Sequence, residues 1–419
     1  MFQASTIKSF SLGFGSRDAM DLVVGISRLG VIVAAARTLD TRTIGLVAAA
    51  VALAEILIAL TDFWAVRTDN AVSGPHNYDT SGLSRLGPRR RNLMARCLPP
   101  LLQVGLAILI VALGADPMIG GILILLSIGY LLGPLGFVGF TRIALTARAS
   151  QISRVSSVTP SQILAANAMT VVLLCAWPTA YALVLPHMLM FGVSVIAAGY
   201  QAHDSLRGCP RFAPPPASEA NTIAMFGTRI ANALAMYADK LIIGFILGLE
   251  VLGLHVVACT LGLGLARLIS QVCSAALSIH MRPKTRHLRG MHHALVVGFA
   301  AVAPIVVLQS MLAPYYVPIL LGPGWDELCG IIAILCLAAI PSVIWNATSR
   351  HVPPDRRAQM ELTISVIIAV ALIINAVFMA PQGLLSVTSG YLAVLIAVQI
   401  GAAMPVLTLA LLPAHPSWS

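Results

Sequence analysis

The sequence predicts an all-α integral membrane protein, with about twelve transmembrane helices set as two six-helix lobes around a central cavity. Three observations predict it. The 419 residues are 58% hydrophobic and only 10% charged, with mean hydropathy +0.89, whereas a soluble domain has about a quarter of its residues charged. Apolar runs of span length recur along the whole chain. Charged residues inside those runs fall on shared helical faces. The apolar mass is Leu, Ile, Val and Ala with few aromatics, which suits helical spans better than a barrel of alternating strands.

Taken in order, runs of about 20 residues, long enough to cross a bilayer, fall near 19–37, 43–64, 93–114, 118–140, 160–177 and 180–200. A second set falls near 221–247, 251–278, 291–313, 327–347, 358–379 and 383–411. The Pro-rich stretch RGCPRFAPPPASEA separates the two sets. Its consecutive prolines cannot continue a helix and suit a stiff surface linker. The expected organisation is a lobe over 1–206, a cytoplasmic linker over 207–220 and a second lobe over 221–419. Met1 to Arg17 is short and polar, with no small-residue exit site after the first apolar run, so no cleavable signal peptide is expected.

Basic residues set the orientation. With the N-terminus inside, the inner loops and N-terminal tail hold nineteen of the 26 Lys and Arg, among them Arg85, Arg89, Arg90, Arg91, Arg282, Lys284 and Arg286. The outer loops hold only Arg37 and Arg42, beside Asp40, Asp116, Glu250, Asp326 and Glu327. This asymmetry predicts cytoplasmic N- and C-termini. It also accounts for the net charge of +10 through anionic membrane lipids, with no nucleic acid as partner.

Gly227 to Gln271 concentrates the informative charges. The stretch predicts two apolar helices joined by a turn of four to six residues near Gly248, Leu249 and Glu250. Arg229, Asn232, Asp239 and Lys240 share an arc of roughly 100° on the first helix. Arg267 and Gln271 lie on a comparable stripe of the second. Earlier, Arg28 lies deep in the first span, and Glu55 and Asp62 are seven residues apart in the second. A charge at a helix centre costs roughly 2.5–3.5 kcal/mol on insertion scales, so such residues face a bundle interior or water. Two alternatives stand beside this: Arg229 and Arg267 can snorkel to the inner headgroups, and Asp239 can neutralise Lys240. There is also an internal echo. VIVAAARTLDTRTIGLVAAAV (Val31 to Val51) aligns with LIIGFILGLEVLGLHVVAC (Leu241 to Cys259), each with Ile/Leu-Gly-Leu opening a span. Parallel repeats of this kind build transporters with a site between the halves.

Catalytic signatures are missing: no G-x-S-x-G, no G-x-x-x-x-G-K-[ST] and no H-E-x-x-H occurs. The seven cysteines lie mostly in apolar runs without C-x-x-C spacing and read as small buried hydrophobes. No metal and no cofactor are expected, and the chain reads as a transporter rather than an enzyme. The longest outer loop is expected at about Ala313 to Glu327, too short for a catalytic domain.

AARTLDTRTIGLVAAAVALAEILIALTDFWAVR (Ala35 to Arg67), ADKLIIGFILGLEVLGLHVVA (Ala238 to Ala258), LGPGWDELCGIIAILCLAAIPSVIW (Leu321 to Trp345) and PQGLLSVTSGYLAV (Pro381 to Val394) resemble the polysaccharide-unit flippases. These form the polysaccharide-transporter branch of the superfamily that also holds multidrug extruders and lipid II flippases. The resemblance covers nearly the whole chain, and its most specific piece is Asp239-Lys240-Leu-Ile-Ile-Gly. It implies a V of two lobes around an often cationic cavity with alternating access in the bacterial inner membrane. It implies an undecaprenyl-diphosphate-linked oligosaccharide as substrate, and a glycan polymerase and other polysaccharide-assembly proteins as partners. On that reading Arg28, Arg229, Lys240 and Arg267 would meet the diphosphate, Asn232 and Gln271 the sugar, and Glu55, Asp62 and Asp239 would carry protons. Two other classes are open. A drug or cation antiporter of the same superfamily would want an acidic, aromatic pocket. A glycan polymerase or ligase would want long outer loops.

Overall fold

A computed structural model describes the backbone of residues 16–72, 86–114, 116–144, 160–189, 192, 219–280, 288–349, 352 and 354–411. All regular structure among the described residues is helical. The helices of the first half are α1 (Ser16–Thr38), α2 (Thr41–Val72), α3 (Leu86–Ala112), α4 (Pro117–Ala144), α5 (Pro160–Ala176) and α6 (Ala180–Leu189). Those of the second half are α7 (Glu219–Leu247), α8 (Leu249–His280), α9 (Leu288–Leu321), α10 (Leu328–Leu337), α11 (Ala339–Ser349), α12 (Pro354–Met379), α13 (Leu384–Leu395) and α14 (Gly401–Leu411).

These helices follow the twelve apolar runs in order. Six stretches among the described residues are long and apolar enough to cross a membrane: Thr41–Thr61, Phe226–Leu247, Val302–Leu321, Leu328–Trp345, Arg357–Gln382 and Leu384–Pro405. Two of them are composite. Leu328–Trp345 joins α10 to α11 across Ala338, where Pro341 can offer no N–H to the preceding turn. Leu384–Pro405 passes from α13 to α14 through a π turn, Ile396–Ile400, an extra-residue bulge of the kind found inside longer helices. Residues 207–218 of the expected linker and most of the basic inner loops lie outside the described residues, and the linker's last two residues, Glu219 and Ala220, open α7.

The connections on one end of the bundle are short, and local chemistry explains why each stops a helix cleanly. Asp40 accepts the backbone N–H of Thr43 at 3.1 Å, capping α2. Asp116 accepts that of Met118 at 3.0 Å, with Pro117 as the first residue of α4. Two expectations are corrected here. The turn between α7 and α8 is a single residue, Gly248, at φ +92°, a conformation open to glycine without cost. The longest outer loop shrinks to six residues, Gly322–Glu327, because α9 continues through Pro314 and Pro318 to Leu321. Neither proline stops the helix; the chain turns only at Gly322, whose N–H donates to the Pro318 carbonyl at 2.9 Å.

The two halves pack through α2 against α7 and α8, and through α1 against α8. A shared apolar core lies near the short-turn end. It joins Ala35, Ala36 and Ile44 to Val257, Ala258, Leu261, Leu321 and Trp325, all buried. Within it α2 and α8 cross at contact distance of their backbones. A Cβ on Gly45 would sit 1.9 Å from the Leu249 carbonyl oxygen, and one on Gly253 would sit 1.9 Å from that of Thr41. Arg37, in the last turn of α1, donates from Nε to the Leu320 carbonyl at 2.8 Å and from Nη2 to that of Ile319 at 2.6 Å. Farther along the bundle the halves meet by side chains, with Leu268 over Gly25 and Leu29 facing Gly264.

Candidate functional site

Helical position shows which polar residues face inward. On α1 the exposed apolar residues Val23 and Ile26 fall within about 60° of one another. Arg28 lies about 160° away, in the sector of buried Ala35 and Ala36, and is nevertheless exposed. Arg28 is thus an exposed cation on the packing side of α1. The same reasoning applies to α7. Arg229, Asn232, Met236 and Lys240 span about 80°, on the side opposite Phe245, which is 92% exposed. Arg229 and Asn232 are exposed, whereas Asp239 and Ile243, higher on the same side of the helix, are buried. The face is thus open toward the N-terminal end of α7 and closed toward the short turns.

In the first half a polar chain backs Arg28. Asn167 of α5 donates from Nδ2 to Ser27 Oγ at 2.7 Å, and His187 Nε2 lies 3.1 Å from Asn167 Oδ1. Glu55, half-buried on α2, accepts a hydrogen bond from the Tyr130 hydroxyl of α4 at 2.8 Å. Gln103 of α3 is fully buried and donates from Nε2 to the Ala54 carbonyl at 3.3 Å, just beside it.

In the second half Asp239 is the centre of a buried cluster. Its Oδ1 lies 3.5 Å from Lys240 Nζ and accepts the Lys240 backbone N–H at 2.8 Å. Its Oδ2 lies 3.6 Å from His255 Nε2 on α8, and His255 Nε2 is 3.4 Å from Cys259 Sγ. Lys240 Nζ also donates to the Met236 carbonyl and sits 5.6 Å from the centre of the Tyr237 ring. Asp239 and Lys240 thus lie within ion-pair distance, with a histidine added. Of the residues singled out in the sequence, Arg28, Glu55, Arg229, Asn232, Asp239 and Lys240 are placed. The side chains of Asp62, Arg267 and Gln271 lie outside the described residues.

Sequence reasoning passed over His255, His187, Asn167 and Tyr130. A signal for His255 was present. It follows Gly248 by seven residues while Asp239 precedes Gly248 by nine, so once the turn is one residue long the two sit at similar depth on adjoining helices. No group of three or more His, Cys, Asp and Glu able to hold a metal occurs among the described residues.

Helices of this length and polarity define a multi-pass membrane protein, and solved structures similar to it in fold include membrane transporters. A lipid II flippase, MurJ, in an inward closed conformation superposes with a TM-score of 0.59 at 12% identity, covering 94% of this chain and 90% of that one. A Vibrio cholerae MATE transporter superposes with a TM-score of 0.55 at 11% identity, covering 97% and 98%. A MATE-family multidrug-resistance transporter of the MOP superfamily, inward-facing, gives 0.54 at 13% identity, covering 93% of each. No curated protein matches significantly in sequence. The family described as polysaccharide biosynthesis protein matches residues 97–330. The chain belongs to that family.

Proposed function

We propose that this protein carries undecaprenyl-diphosphate-linked oligosaccharide repeat units from the cytoplasmic to the periplasmic leaflet of a bacterial inner membrane. One observation carries the reading: Arg28 and Arg229, one from each half, are exposed on inward faces of α1 and α7 in a chain whose family builds polysaccharides. Guanidinium groups in a site shielded from bulk water bind diphosphate oxygens through charge-assisted, often bidentate hydrogen bonds. Asn232 and, on the adjoining helix, Gln271 supply amides for sugar hydroxyls, and Arg267 and Lys240 add positive charge.

In this proposal residues 1–206 and 221–419 are the two lobes, 207–220 joins them on the cytoplasmic side, and both termini are cytoplasmic. The short-turn end faces the periplasm, and the opening beside Arg229 and Asn232 faces the cytoplasm, where the substrate is loaded. The protein acts as a flippase without catalysing a covalent step. Glu55, Asp62 and Asp239 are its proton carriers, and His255 shares the proton of Asp239. A glycan polymerase receives the product.

The test is the leaflet distribution of lipid-linked oligosaccharide in a deletion strain, with accumulation on the cytoplasmic leaflet expected. Equal distribution with and without the gene would overturn the proposal. Raised dye sensitivity with normal surface glycan would point to a drug antiporter instead.

A further inference from the structure

We propose that a two-part latch between the halves holds the short-turn end shut. Its parts are the glycine crossing of α2 and α8 at Gly45 and Gly253 and the clasp of Arg37 on the last turn of α9. The inference rests on the transporter reading in one respect: a latch has a use only where the halves part.

The crossing is reciprocal. Gly45 meets the carbonyl of Leu249, four residues before Gly253, and Gly253 meets the carbonyl of Thr41, four residues before Gly45. Exchanging the two helices leaves the relation unchanged, so a local two-fold axis passes through the contact. The repeat Ile44-Gly45-Leu46 and Leu252-Gly253-Leu254 is the sequence form of that symmetry. Glycine at both positions lets two backbones touch, as small residues do where membrane helices approach closely. A methyl group on either would stand 1.9 Å from a carbonyl oxygen, which no rotamer change relieves. The contacts of Leu268 with Gly25 and of Leu29 with Gly264 end in flexible side chains, which can repack. Among the described glycine contacts between the halves, the crossing is therefore the one that a side-chain change cannot repack.

Arg37 adds a releasable bond. The last carbonyls of a helix have no partner within it and carry partial negative charge. Arg37 of the first half satisfies two of them on α9 of the second. It is exposed, so water can replace it when the halves separate.

The experiment measures distances across the short-turn end by pulsed electron resonance in nanodiscs without substrate. Spin labels are carried by non-natural amino acids at Leu113 and Glu327, both exposed and one in each half. Wild type is expected to show a dominant short distance. Gly45→Ala and Gly253→Ala should each lower the short-distance population by about tenfold, and Arg37→Met should lower it by a smaller factor. Gly105→Ala, where a Cβ meets nothing within 4 Å, should leave the distribution unchanged. A wild-type distribution in folded Gly45→Ala and Gly253→Ala would overturn the latch. If the glycine variants do not fold, Arg37→Met decides alone, and an unchanged distribution overturns it. Because no substrate is present, failure here is separate from failure of the leaflet assay, which tests the cargo.

Discussion

Asp239 and His255 are 5% and 1% exposed, and at that burial each depends on the other and on Lys240. Removing one member leaves an uncompensated buried charge, which typically costs about 3–5 kcal/mol. Asp239→Asn should therefore lower the thermal midpoint of detergent-solubilised protein clearly. Asp239→Asn combined with His255→Gln should recover part of the loss, as a double-mutant cycle would show. Additive losses would mean that the two groups do not interact. Arg28 and Arg229 differ in kind, being exposed toward the space between helices. Hydrogen bonds to a charged group contribute about 1.5–3 kcal/mol, so Arg28→Met or Arg229→Met should reduce transport by about 10- to 100-fold, and in Arg28→Met the thermal midpoint should hold. Arg28→Lys should restore part, because a point charge replaces a fork. The charged members of both clusters were legible in the sequence because a charge in an apolar run is conspicuous. His187 and Asn167 were not, since a single polar residue in such a run gains meaning only from what faces it, and the signal for His255 needed the one-residue turn at Gly248.

Helix boundaries were legible where chemistry marks them locally. Asp40 and the Asp116-Pro117 pair open α2 and α4 in the expected places. The end of α9 was not legible: the outer loop was expected from about Ala313, yet the helix runs through Pro314 and Pro318 to Leu321, as a long apolar helix accommodates proline. The α2 cap gives a pH-dependent prediction. The Asp40 carboxyl is held below its ordinary value chiefly by its hydrogen bond with the Thr43 hydroxyl, aided by the Thr43 backbone N–H. A carboxylate lowered in the folded state contributes stability above its ordinary value, near 3.8, and that contribution fades as pH falls through the lower folded value. Asp40→Ala should cost about 1 kcal/mol at neutral pH. Asp40→Asn, which keeps an acceptor, should cost less. The gap between wild type and Asp40→Ala should close only below about pH 4, and a gap constant down to pH 2 would remove the carboxylate from the account.

The number and order of the spans could be read from hydropathy because lipid leaves the backbone few choices. How the halves meet could not. Reciprocal packing of α2 on α8 depends on two glycines 208 positions apart, and no local pattern relates such distant residues except the faint repeat. Energy coupling belongs to this scale as well. Glu55 lies on α2, one of the helices that contact both halves, and is held by Tyr130. If its protonation drives the cycle, Glu55→Gln should abolish the response of flipping to an imposed pH gradient while leaving basal exchange. Flipping that follows the gradient unchanged in Glu55→Gln vesicles would assign the proton elsewhere.

The one-residue turn at Gly248 and its short companions leave the molecule almost bare at one end. Among the described residues no connection at that end is longer than six residues. A cargo that left by this end would pass straight into the lateral flow of the membrane. Its next encounter would then be governed by two-dimensional diffusion and by the abundance of whatever waits to collect it, and not by any handover built into this chain.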